Sequence, residues 1–107
     1  MFDSIPVSAL ELGIGFREYE DLARSVRDVA SLKMRERQGL LDLANIFFSG
    51  KTILKMQKLV IDMADDREFY RIAEMNYSRG PPEGEGIFTT GLAYHLLKRG
   101  GLIQSGN

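Results

Sequence analysis

From Phe16 to Ser49 the chain repeats apolar residues at helical spacing for longer than anywhere else. That periodicity restricts the fold to helices packed on helices. Phe16, Tyr19, Leu22, Ala23, Val26, Val29 and Ala30 recur every three or four residues, which puts them on one face of an α-helix. Arg17, Glu18, Glu20, Asp21, Arg24, Arg27 and Asp28 fill the opposite face. Glu20 precedes Arg24 by four residues, the better order for a surface ion pair on a helix. A second apolar set follows at Leu40, Leu43, Ala44 and Phe47, with Leu41 and Phe48 beside it.

Lys33 to Gly39, polar except for Met34, bridges the two sets. Two arrangements fit this bridge. One unbroken helix would run for about 50 Å at about 1.5 Å per residue. It would protrude from a domain of about 100 residues, whose radius of gyration is near 13 Å. The alternative is a turn at Gln38-Gly39, with Gly39 just past a helix end and Lys33, Arg35 and Arg37 complementing the helix dipole. The turn is the preferred reading of the two.

Before this segment, Met1 to Val7 reads as an extended arm, since Pro6 keeps Ile5 out of helix. Ser8 and Glu11 have the spacing of a capping box, and Gly13 and Gly15 keep that first helix short. After it, Gly50 reads as a C-cap and Thr52 as the opening of a helix with the stripe Ile53, Met56, Leu59, Val60, Met63 and Ala64. Lys51, Lys55 and Lys58 form a basic row away from that stripe. Asp65 to Glu68 continue or restart the helix, Phe69, Ile72, Ala73 and Tyr77 carry its apolar face onward, and Asn76 or Ser78 ends it. Residues 78–86 hold two prolines and three glycines and read as a linker. Thr89-Thr90 then suggests an N-cap for a short helix carrying Leu92, Ala93, Leu96 and Leu97, closed by Gly100-Gly101.

Composition narrows the function. Of 107 residues, 14 are Lys or Arg and 15 are Asp or Glu, giving a net charge of −1. That balance disfavours a strongly electrostatic nucleic-acid binder, although one basic face is compatible with it. Cysteine is absent, so disulfides, thiol nucleophiles and cysteine metal sites are excluded. No apolar run approaches the ~20 residues of a membrane span, and the first residues lack a signal-peptide pattern. A cytoplasmic protein is expected.

The motifs that suggest chemistry are weak. Ser49-Gly50-Lys51-Thr52 resembles the end of a phosphate-binding loop, but Asn45 stands where the first glycine belongs, and bulky Ile46, Phe47 and Phe48 intervene. Asp62, Asp65, Asp66 and Glu68 lack the alternating ligands and central glycine of a calcium loop, so a solvated acidic patch is expected. His95 is the only histidine; a catalytic role needs partners that sequence does not place, and a surface or interface position is expected.

The expected fold is therefore all-α, about five amphipathic helices in a small bundle. Residues 1–77 form a helical core, 78–86 a Pro/Gly linker, and 87–107 a C-terminal helical arm and tail. The expected function is that of a non-catalytic regulatory protein that binds and occludes another protein, for example an inhibitor or anti-activator of a transcription regulator. Neither cofactor nor metal is expected. Candidate partner-binding residues are Phe47, Phe48, Ile87, Phe88, Leu92, Tyr94, His95 and Leu96. The C-terminal arm docks on its own domain, on the other subunit or on a partner. A homodimer is expected, built mainly on residues 16–49 with the Ile53 to Met63 helix contributing. The alternative is a dimeric helical DNA-binding regulator using Lys51, Lys55 and Lys58.

Overall fold

The computed structural model describes residues 4–74 and 81–104. Among the described residues six helices follow in order: α1 (Val7–Glu11), α2 (Phe16–Ala30), α3 (Met34–Phe47), α4 (Gly50–Ala64), α5 (Arg67–Ala73) and α6 (Pro81–Arg99). Among the described residues there is no strand. The chain forms the small all-α bundle that its periodicity predicts.

Several boundaries fall elsewhere than the sequence suggests, each for a local reason. The break within residues 16–49 lies at Ser31–Lys33, not at Gln38-Gly39. Ser31 ends α2 by donating both its N–H and its hydroxyl to the Asp28 carbonyl. Glu36 then caps the start of α3 by accepting the Lys33 N–H at 3.2 Å. Gly39 sits inside α3, since glycine in a helix costs only about 1 kcal/mol. The molecule measures 32 × 29 × 27 Å, too small for one helix of about 50 Å.

Gly50 begins α4 rather than closing α3, because Ser49 is the N-cap and its hydroxyl accepts the Thr52 N–H. Pro6, not Ser8, precedes α1. Ser8 is instead buried and donates its hydroxyl to the Asp62 carboxylate on α4. Asp66 caps α5 by accepting the N–H groups of Glu68 and Phe69 at 3.0 and 3.1 Å. That helix ends at Ala73, with Glu74 in the left-handed region at φ 55°. Asn76, Tyr77 and Ser78 lie outside the described residues.

The largest difference concerns the C-terminal region. Residues 78–80 of the expected linker are outside the description, but from Pro81 the backbone is helical. Proline is tolerated in a first helical turn, where N–H groups have no intrahelical partner. The helix is 19 residues long, and Thr89-Thr90 lies inside it. Thr90 donates its hydroxyl to the Gly86 carbonyl one turn back, at 3.0 Å. A Schellman motif closes α6: Leu102 N–H reaches the Leu97 carbonyl, Gly101 N–H reaches that of Lys98, and Gly101 has φ 71°.

This last helix is the centre of the bundle. It makes its most extensive contact with α2 and packs also on α4 and α3, while α5 covers α2 and α1 lies against α4. Phe88, Leu92, Ala93, Leu96 and Leu97 are buried. Full burial of a large apolar side chain is worth about 1.5–3 kcal/mol, so the segment belongs to the core. Gly91 permits the close crossing with α2. A Cβ there would stand 2.7 Å from Val26 Cα and 2.5 Å from Val26 Cγ2. Phe69 joins the elements aromatically, 5.1 Å from Tyr19 and 5.5 Å from Phe88 between ring centroids.

Candidate functional site

Two places in this bundle carry side chains with chemical potential. The first is a polar chain across the α2–α6 interface. Lys98 Nζ donates to Ser25 Oγ at 3.1 Å. Ser25 Oγ is 3.2 Å from His95 Nδ1, and His95 Nε2 is 2.8 Å from Glu18 Oε2. Arg99 donates to that same carboxylate oxygen at 3.0 Å and to the Leu12 carbonyl at 3.1 Å. One assignment satisfies every atom: Ser25 O–H donates to Nδ1, and Nε2–H donates to the carboxylate. The imidazole is then neutral. Burial pushes its pKa below the usual value; Glu18, as hydrogen-bond partner and as charge, pulls the other way, and Lys98 and Arg99 add to the lowering.

A serine, a histidine and a carboxylate in contact invite comparison with a nucleophilic triad. Ser25 is only 1% exposed, and its oxygen already accepts from Lys98. It also lies in the interior of α2, where backbone N–H groups are engaged within the helix and do not form an oxyanion hole. The open cleft of about 600 Å³ above the chain is lined by charges of both signs, among them Asp21, Arg24 and Asp28. The arrangement works as a clamp that fixes α6 on α2.

The second place is a groove of about 430 Å³ on α4, lined by Lys51, Leu54, Lys55, Gln57, Lys58 and Ile61, with Glu11 contributed from α1. The inner face of α4 is spent on the core through Met56, Leu59, Val60 and Met63. Leu54 and Ile61 point away from it and are 64% and 59% exposed. Two turns of helix, about 10.5 Å, separate them. Among the described residues, Lys51, Lys55 and Lys58 make no salt bridge.

The residues expected to bind a partner are not brought together. Phe88, Leu92, Leu96 and His95 are interior, so the C-terminal arm docks on its own domain. Tyr94 is half-buried, with Lys98 Nζ 4.3 Å from its ring centroid. Ile87 and Phe48 pack on the core edge, and only Phe47 is open, at 50%. Lys51, Lys55 and Lys58, the DNA-binding candidates, do share one groove, but Leu54 and Ile61 lie among them. The acidic cluster is occupied structurally: Asp62 accepts from Ser8, while Asp66 caps α5 and accepts from the Tyr19 hydroxyl at 3.2 Å. Burial, then the Asp66 charge, raises the Tyr19 pKa far above its usual value.

Sequence reasoning passed over Leu54 and Ile61, whose signal is two apolar residues seven apart within a lysine row. It also passed over Ser25, a polar residue in the register of Leu22, Val26 and Val29, and over Glu18, which meets the other ring nitrogen of His95. No protein family, curated protein or solved structure matches the chain.

Proposed function

We propose that this chain is a non-catalytic regulatory protein that binds and occludes another protein, an inhibitor or anti-activator of a transcription regulator being one such role. The observation that carries the reading is the α4 groove. Its Leu54 and Ile61 stay in water although neither serves the core. Exposed apolar side chains gathered in a cleft with a polar rim suit an interaction surface. The His95 chain supports the same reading, since its groups are consumed in holding α6 to α2. Among the described residues no helix is long and apolar enough to cross a membrane, and a cytoplasmic setting belongs to the proposal.

The test compares the full chain with a Leu54→Asp/Ile61→Asp variant as baits. The proposal expects unchanged melting, a captured protein that the variant loses, and inhibition of that protein by the wild-type chain alone. The same captured set for both baits would overturn it. The lysine row favours one second reading, a DNA-binding regulator. It predicts a duplex affinity that falls steeply with salt, and aspartate at 54 and 61 would then act through added negative charge alone. Homodimerisation is proposed on α2 and α3, which leave Phe16, Met34, Ile46 and Phe47 exposed. The α4 helix has Met56, Leu59 and Met63 in its own core, so the proposed dimer rests on α2 and α3 and leaves the outer strip of α4 to the partner.

A further inference from the structure

We infer that the α4 groove receives an acidic amphipathic helix from the partner protein, an inference that rests on the interaction reading above and specifies its chemistry. Leu54 and Ile61 would take the apolar anchors, and Lys51, Lys55 and Lys58 the flanking carboxylates. Three observations lead there. The two apolar residues stand about 10.5 Å apart along one helix, the separation of anchors at i and i+7 on a helix lying in a groove. The rim carries three lysines without carboxylate partners among the described residues against one acid, Glu11. The cations are lysines, which act as point charges and accept carboxylates without a fixed planar geometry.

Other occupants fit less well. A second copy of the chain, docked symmetrically, would set the same lysine row against itself, because a two-fold interface pairs one patch with its own image. Like charges across an interface are repelled. A lipid surface calls for a wide apolar face rich in bulky residues. On α4 the wide face is buried, and what remains is a narrow cleft with two apolar side chains.

The experiment titrates the full ¹⁵N-labelled chain with three synthetic helical peptides of one length. Each carries leucines at i, i+3, i+4 and i+7, with flanks of Glu, Gln or Lys. The inference expects the Glu peptide to shift α4 amides and those near Glu11, and to bind about five- to tenfold tighter than the Gln peptide. That is the scale of a few solvent-screened ion pairs, and the preference shrinks with salt. Leu54→Asp removes binding, and Lys51→Glu/Lys58→Glu reverses the preference towards the Lys peptide. Equal binding of the Glu and Gln peptides at α4 would overturn the acidic chemistry while leaving the interaction reading intact. No shift at α4 with any peptide would overturn both. Vesicles of phosphatidylcholine with 30% phosphatidylserine are the last arm. Leu54-dependent co-sedimentation with them, in the absence of peptide binding, would assign the groove to a lipid surface and overturn the inference.

Discussion

At the scale of single residues, His95 makes stability depend on pH. Its folded pKa lies below the unfolded value of about 6.5. The unfolded chain therefore binds the proton first as pH falls, and stability rises with pH across this range. The contribution is complete above about pH 6.5 and is lost as pH falls through the folded pKa. Melting temperature is expected to drop between pH 7.5 and pH 5, and His95→Gln should flatten that part of the profile while lowering its level. A second residue-scale prediction concerns Gly91. Gly91→Ala should destabilise by about 1–3 kcal/mol through overpacking, measured by urea denaturation. Adding Val26→Ala should restore little, because the closer obstacle beyond Cγ2 is Val26 Cα, which the second substitution keeps.

At the scale of elements, two glycines of the same chain answer in opposite directions. Gly39 lies inside α3 with nothing within 4 Å of an added Cβ. Gly39→Ala is expected to stabilise by about 0.5–1 kcal/mol, seen as a higher melting temperature. Asp66→Ala should cost about 1–2 kcal/mol, since it removes the cap of α5 and the acceptor of the Tyr19 hydroxyl. Elements were legible where polar and apolar residues segregate. On α2, Tyr19, Leu22, Ala23, Val26 and Val29 are buried as their spacing predicts, although Phe16 and Ala30 at the two ends are exposed, and Glu20 and Arg24 do pair, at 3.1 Å. The central helix hid for the opposite reason. From Gly86 to Leu97 there is no charge at all, the mark of a helix buried on every side. Such a run offers no polar face to reveal its length, and the prolines and glycines ahead of it suggest a linker. The α2–α3 break was equally obscure, because Ser31 ends the helix through bonds that leave no glycine behind. The groove residues were obscure because Leu54 and Ile61 belong to no stripe.

At the scale of the whole molecule, the weight of the fold rests on α6. Removing residues 87–107 should abolish cooperative unfolding rather than trim a tail, checked by circular dichroism and thermal melting. A truncated chain that keeps a sharp transition would refute the central role of this helix. Self-association is expected as well: sedimentation at high micromolar concentration should give about twice the 12.1 kDa chain mass, and Ile46→Asp/Phe47→Asp should return it to the monomer. The placement of α6 also bears on how the protein is made. Translation delivers α2, α3, α4 and α5 before the helix they all surround or adjoin. Until α6 emerges, Val26 lacks its neighbour Gly91 and Phe69 its neighbour Phe88, and the nascent chain is left with an open apolar side. Completion of the core thus waits on the emergence of one segment, and a chain halted between Ala73 and Leu97 would keep that apolar surface in water.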